Sequence, residues 1–146
     1  MKKGFTLIEL LIVVAIIGLL ASIVLVGLGG ARARGRDARR VADLSEVQNA
    51  LELYYTKNNA YPAISGADSW TSLKASLTGA GIGVRTIAND PLSPNRSYEY
   101  GIASDNQGYV LKTVLEVPDN NPALADDVDG SLYGLDCDDP AYCVQL

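Results

Sequence analysis

The sequence contains no histidine, only two cysteines and, between Glu9 and Arg32, no charged side chain at all. Without histidine, imidazole acid–base catalysis is excluded. With Cys137 and Cys143 as the only thiols, a zinc centre is poorly supported. The uncharged stretch excludes a simple cytosolic globule, because so many consecutive apolar side chains leave no polar face for water. Of the 146 residues, 48% are hydrophobic and 20% charged, which excludes disorder throughout and suits one compact domain with an appendage. No catalytic constellation remains, so the chain reads as a non-enzyme.

Charge is divided along the chain. Residues 1–40 hold Lys2, Lys3, Arg32, Arg34, Arg36, Arg39 and Arg40 against Glu9 and Asp37, whereas the remainder holds 5 basic and 15 acidic side chains. A basic, apolar front and an acidic rear are expected to meet different surroundings. The acidic rear argues against nucleic-acid binding by that part.

Leu10 to Ala31 is an apolar run of 22 residues. As a helix it reaches about 33 Å, enough for a hydrocarbon layer of about 30 Å. A cleavable secretory signal has a shorter apolar region with a small-residue site behind it, and Ala31-Arg32-Ala33 matches that only loosely. The run therefore reads as a membrane span over about residues 9–31. Its orientation is contradictory from composition. Five arginines follow it within nine positions, which favours a cytoplasmic C-terminal part. Cys137 and Cys143, six positions apart in an Asp- and Pro-containing tail, suit a small disulfide clip in an oxidising compartment, with two unpaired thiols as the alternative.

Glu9 adjoins the span at its first turn. At a bilayer centre a carboxylate costs ~2.5–3.5 kcal/mol, so Glu9 either rests among headgroups or needs a cationic partner. Cleavage after Gly4 would create an amine on Phe5 four residues away, and packed helices would allow Glu9 of one copy to meet the Phe5 amine of another.

Lys2-Lys3-Gly4-Phe5-Thr6-Leu7-Ile8-Glu9, running straight into an apolar helix, resembles the prepilin signature of the type IV pilin and type II secretion pseudopilin family. The resemblance implies a leader at residues 1–4, cut between Gly4 and Phe5 by a prepilin peptidase, with N-methylation of Phe5. It implies that Glu9 neutralises a neighbour's Phe5 amine as subunits leave the lipid and form a helical homo-oligomeric filament on an inner-membrane assembly platform. It also implies an N-terminus in the cytoplasm and a C-terminal part outside, against the bias of the arginines. Family members often carry a proline in the apolar half; none is present here. Gly18, Ser22 and Gly27 are small residues that would let such helices approach.

The fold implied is α+β and pilin-like: one long N-terminal helix over 5–57, then a small head over 58–146. The residues agree. Val41, Leu44, Val47, Leu51 and Tyr54 recur at helical spacing, with an Arg39–Asp43 pair beside them. Gly29 and Gly30 predict a bend or softened stretch. Asn58-Asn59-Ala60-Tyr61-Pro62 ends the helix, in a manner similar to type II secretion major pseudopilins. Asp68 or Ser69 caps a short helix carrying Trp70, Leu73 and Leu77 and stopping at Gly79. Ser97–Ala103 and Gly108–Val117 read as two strands, the second placing Tyr109, Leu111, Thr113, Leu115 and Val117 on the face that covers the helix. The tyrosines at 54 and 109 suit packing better than an electron path. The arginine collar reads first as solvated or lipid-facing, with contact to neighbouring subunits as the alternative.

The acidic tail is the only ligand candidate. Asp119, Asn120, Asn121, Asp126, Asp127 and Asp129 offer the oxygens that Ca²⁺ prefers, at a position similar to the calcium loop of major pseudopilins but without EF-hand spacing. A solvated loop with no cofactor is the preferred reading, and calcium at Asp119, Asp126, Asp127 and Asp129 the alternative. The function expected is a filament subunit of a pilus or a secretion pseudopilus; the other class is a single-span anchor displaying a ligand- or calcium-binding module.

Overall fold

The computed structural model describes residues 4–63 and 68–146, and for 24–27 the helical backbone alone. Lys2 and Lys3 of the expected leader, and the surroundings of Gly27, lie outside the described residues.

Helix α1 spans Leu7–Asn58 and, at 52 residues, is about 78 Å long. Its start is set by Thr6, whose extended backbone and side chain form a capping box with Glu9. Its end is set by Asn59, which enters the left-handed region at φ 55 and donates its N–H to the Tyr55 carbonyl at 2.7 Å. The expected softening at Gly29 and Gly30 does not break the helix, which continues through both and through Gly35. Neighbouring residues of good helix propensity and the cooperativity of a long helix offset the ~1 kcal/mol that each glycine costs.

The two halves of α1 face different environments. Every described side chain from 4 to 23 is exposed, whereas Leu44, Val47 and Leu51 are buried in the head. Helix α2, Ser69–Gly79, is capped by Asp68, which accepts the Thr71 N–H at 3.1 Å, and it buries Trp70, Leu73 and Leu77. The helix ends at Gly79, as expected, and Gly81, in the left-handed region two positions later, turns the chain away.

Strands β1 (Glu99–Ile102), β2 (Tyr109–Val114), β3 (Ser131–Leu132), β4 (Leu135–Asp136) and β5 (Ala141–Gln145) follow. An antiparallel sheet has the order β1-β2-β5, with Tyr100 opposite Leu111 and Lys112 opposite Cys143; β3 and β4 form a separate hairpin. The third strand corrects the expectation of a loop-like tail. Ala141, Tyr142 and Cys143 are buried there, and the run was hidden by the Asp and Pro residues just before it.

Alternation on β2 sends Tyr109, Leu111 and Thr113 toward α1 and α2, with Leu115 beyond the strand end buried beside them. Val110 points to the opposite face, against Cys137 and Cys143. Val117 lies beyond the strand and is only half-buried. Tyrosines fill much of the core: Tyr61 stacks between Tyr55 and Tyr109 at 4.8 and 4.7 Å, and Trp70 meets Tyr98 edge-on at 4.9 Å. Their hydroxyls find partners, Tyr98 donating to Asp43 at 2.8 Å and Tyr100 to the Pro62 carbonyl at 2.9 Å.

Candidate functional site

At the N-terminus, Gly4 and Phe5 precede the helix in non-helical backbone. Phe5 is 80% exposed, and nothing lies within 4 Å of where a Cβ on Gly4 would stand. The peptide between them is open on the side a side chain would occupy. The Glu9 carboxylate is committed within its own chain. Its Oε2 accepts the Thr6 N–H at 2.8 Å and the Thr6 hydroxyl at 2.7 Å, while the Glu9 N–H donates to Thr6 Oγ1 at 3.3 Å. The carboxylate therefore stands exposed beside the helix start, one turn from Phe5 and Gly4.

Where α1 meets the head, a charged cluster joins three elements. Arg40 is fully buried and donates twice to Asp90 (2.7 and 3.0 Å), once to Asp37 (2.7 Å) and once to Glu116 (2.6 Å). Arg36 forks onto both oxygens of Glu116 at 2.8 and 2.6 Å. Asp37 in turn accepts the backbone N–H groups of Glu116 and Val117, each at 2.9 Å. Helix α1, the Asp90 loop and the segment after β2 are thereby held at one point.

The electrostatics agree with the geometry. Hydrogen bonds from Arg36, opposed by burial and reinforced by Arg40, bring the Glu116 carboxyl down to about 2. For Asp90, burial raises the value but the Arg40 fork outweighs it, so the net direction is down. Arg40 is correspondingly held protonated: burial opposes its charge, and hydrogen bonds to Asp90, Glu116 and Asp37 more than offset that.

This cluster corrects the expectation of a solvated or lipid-facing arginine collar. Arg36 and Arg40 belong to the head, whereas Arg32, Arg34 and Arg39 are exposed; Arg39 reaches Asp43 at 3.8 Å. A signal was present. Arg40 continues the stripe Leu44, Val47, Leu51 at i, i+4, i+7 and i+11, so it falls on the buried face, where a charge requires partners.

Cys137 and Cys143 are joined in a disulfide, with their Cα atoms 5.8 Å apart. It ties the end of the β3–β4 hairpin to β5 and brackets Asp138-Asp139-Pro140. Beside it, carboxylate oxygens of Asp127, Asp129 and Asp139 lie within 4.8 Å of one another. Asp127 Oδ2 accepts the Cys143 N–H at 3.0 Å, while Oδ1 is buried without a hydrogen-bond partner among the described residues. Burial, with Asp129 and Asp139 adding to it, raises the Asp127 carboxyl above its ordinary value. Of the acidic residues singled out in the sequence, Asp127 and Asp129 are brought together, and Asp139 joins them because the disulfide folds its loop back. Asp119 and Asp126 are not in this cluster.

Comparison with known proteins gives matches of two lengths. A family profile described as the prokaryotic N-terminal methylation motif matches residues 1–25. The type II secretion system core protein G of Pectobacterium carotovorum subsp. carotovorum is 28% identical over 138 residues, covering 87% of this chain and 83% of that protein. The core protein G of Klebsiella pneumoniae is 29% identical over 133 residues, covering 87% and 92%. The type IV wide pilus major component PilA4 of Thermus thermophilus is 45% identical over 65 residues, covering 44% of this chain and 50% of that protein. Against the core protein G of Aeromonas hydrophila the match likewise spans 43% of that protein, at 39% identity over 61 residues. No solved structure matches the chain.

Proposed function

We propose that the chain, which carries the N-terminal methylation motif and is similar to type II secretion core protein G, is a non-enzymatic structural subunit of a type II secretion pseudopilus. The single observation that carries this reading is the division of α1. Its first half is apolar and exposed, and its second half is the spine of a folded head. An apolar helix of that length must be covered, first by lipid and then by copies of itself. The secretion system is preferred over a pilus because likeness to core protein G extends through the head, whereas likeness to PilA4 covers 65 residues.

The chemistry runs from the N-terminus. Prepilin peptidase cuts between Gly4 and Phe5, removing Lys2 and Lys3 and leaving a new amine on Phe5, which is then methylated. The exposed backbone at Gly4 supports access by a membrane-surface protease. Before assembly Glu9 is satisfied by Thr6, a neutral donor. In the filament, a neighbour's Phe5 ammonium replaces that contact with a charge-assisted one, roughly twice as strong and least screened in an apolar bundle. The exchange favours one axial stagger between copies. The N-terminus lies in the cytoplasm and the head outside it, where the disulfide is stable.

Pulling on α1 then moves the head, because Arg40 and Arg36 fasten the helix to the Asp90 loop and to Glu116. A calcium ion is proposed at Asp127, Asp129 and Asp139. Three converging carboxylates with an orphaned buried Oδ1 are the donor set that a hard cation takes. When bound, the ion would neutralise the mutual repulsion of the three and lock the tail.

The test is Glu9→Ala in cells that carry the peptidase and assembly platform. The variant should be processed and stay in the membrane fraction while filaments sheared from the cells disappear. Filaments equal to wild type in number and length would count against the reading.

A further inference from the structure

Segment 127–130 is held on both sides by the ring that the disulfide closes. On one side, Cys143 donates its N–H to Asp127 Oδ2 at 3.0 Å, and its carbonyl accepts the Val128 N–H at 3.2 Å. On the other, Cys137 donates its N–H to the Gly130 carbonyl at 2.9 Å, and Asp138 Oδ1 accepts the Gly130 N–H at 3.0 Å. Both half-cystines are fully buried, with Val128, Leu132 and Leu135 packed around them and Val110. The acidic segment is therefore suspended between the two cysteines. Two of the three clustered carboxylates, Asp127 and Asp129, ride on this segment, and the third, Asp139, on the ring. Asp127 Oδ1, buried with no hydrogen-bond partner among the described residues, leaves a buried oxygen for a cation to satisfy.

The three carboxylates stand on two bodies. Asp127 is bonded to β5 through Cys143, and Asp139 precedes Pro140, whose carbonyl accepts the Leu115 N–H at 3.0 Å. Asp129 precedes Gly130, which is bonded to Cys137 and Asp138 at the foot of the β3–β4 hairpin. The disulfide is the crosslink that holds the hairpin end against β5. Like charges within 4.8 Å repel, so opening the bridge lets the hairpin end draw back and carries Asp129 away from Asp127 and Asp139. The apolar contacts of Leu132 and Leu135 remain, so the hairpin loosens without unfolding. A cation works in the reverse direction: it pulls the two bodies together and keeps the two sulfurs side by side.

We propose that the Cys137–Cys143 bridge and a calcium ion at Asp127, Asp129 and Asp139 are linked, each strengthening the other. The inference rests on the calcium reading above and adds a redox condition to it. Reduction by a dithiol breaks the Sγ–Sγ bond, delivers two electrons and two protons to give two thiols, and leaves the reductant as its cyclic disulfide. The carboxylates are then no longer preorganised, and the tail binds the ion weakly. Linkage is reciprocal, so the factor by which oxidation raises calcium affinity equals the factor by which saturating calcium protects the bridge from reduction. The head thus gains its calcium lock only once it has been oxidised, which orders the maturation of the tail: bridge first, ion second.

The experiment uses the full-length chain in detergent micelles. Calcium is titrated calorimetrically into the oxidised wild type and into the Cys137→Ser, Cys143→Ser double variant, with the fluorescence of buried Trp70 confirming that both heads are folded. The double variant should bind calcium about tenfold more weakly, within the ~5–150-fold span usual for coupled sites. The reciprocal measurement needs no cysteine variant. Wild type is equilibrated with reduced and oxidised dithiothreitol, with calcium or with a chelator present, and its free thiols are alkylated and counted by mass. Saturating calcium should shift this equilibrium toward the disulfide by about the same tenfold, and Asp129→Asn should erase the shift. A disulfide equilibrium that calcium leaves in place would overturn the proposal. So would a calcium shift that survives Asp129→Asn, since the ion would then act elsewhere. Wild type that binds no calcium refutes the calcium reading itself, and this inference with it; calcium bound equally by bridged and unbridged chains refutes this inference alone.

Discussion

Replacing Arg40 by methionine keeps the unbranched stem of the side chain and removes the charged guanidinium. In the native head the Arg40 side chain is 0% exposed and makes four hydrogen bonds to three carboxylates at 2.6–3.0 Å. After substitution, Glu116 keeps Arg36, and Asp37 keeps the N–H groups of Glu116 and Val117. Asp90 keeps only the Leu92 N–H at 2.7 Å, with its side chain 1% exposed. The loss is therefore that of an uncompensated buried carboxylate, about 3–5 kcal/mol, a large share of the ~5–15 kcal/mol that holds a domain together. For a domain of this size that lowers the midpoint by roughly 15–25 °C. The assay is thermal and denaturant unfolding of the full chain in micelles, read by the single tryptophan. Trp70 is buried and donates to the Ala88 carbonyl at 3.3 Å, two residues from Asp90, so it reports on this corner. The pH dependence separates mechanism from mere packing. Without the Arg40 fork, burial opposes only the Leu92 N–H and the charge of Arg96, so the Asp90 carboxyl should titrate higher than in the native head and its penalty in the variant should shrink as pH falls. A loss under 1 kcal/mol, or a loss independent of pH, would refute the claim that Arg40 is the electrostatic centre of the joint.

Acid should weaken the same joint in the wild type. The Glu116 carboxyl is brought from 4.5 to about 2 in the folded head, so the unfolded chain takes up the proton first. The stability this group contributes is complete above about 4.5 and is lost as pH falls toward 2; denaturant midpoints between pH 7 and 3 should show it, and Glu116→Gln should flatten that limb. An unchanged slope in that variant would contradict the assignment. The paired Cys137→Ser and Cys143→Ser change opens a loop of sequence separation 6, and its closure entropy predicts a loss of ~2 kcal/mol in unfolding free energy. Calcium at roughly 100 times its Kd should stabilise the head by about 2.7 kcal/mol, and Asp127→Asn should abolish that gain. Equal gains in both proteins would place any ion elsewhere.

Much of the architecture was legible because it depends on local pattern. The uncharged run, the stripe Leu44, Val47, Leu51, the stop at Asn58 to Pro62 and the cap at Asp68 are each written locally in the sequence; the run forms the exposed first half of α1, and the other three hold in the folded head. What escaped depends on residues far apart in sequence. The Arg40 cluster joins positions separated by 50 and 76 residues, and no local spacing announces Asp90 or Glu116 as its partners. Strand β5 was hidden because its register on β2 follows from the disulfide and the sheet, whereas its flanks carry turn residues. Asp139 entered the acidic cluster for the same reason, while Asp119, equally acidic, lines a groove with Arg34 instead. Close approach was also invisible to pattern. A Cβ on Gly101 would stand 2.8 Å from Val110 Cγ1 and 3.0 Å from the Tyr133 carbonyl, so glycine there admits the β3–β4 hairpin onto the sheet.

The claim on which assembly depends is that a new, positively charged end is made at Phe5 within reach of a neighbour's Glu9. Intact-mass and fragment spectra of the chain purified from its native envelope measure this directly. The spectra should show a protein that begins at Phe5, carries one added methyl group on its amine and has lost Met1 to Gly4. A chain that retains Met1-Lys2-Lys3-Gly4, or begins at Phe5 with the disulfide intact yet never recovers as filaments, would contradict it.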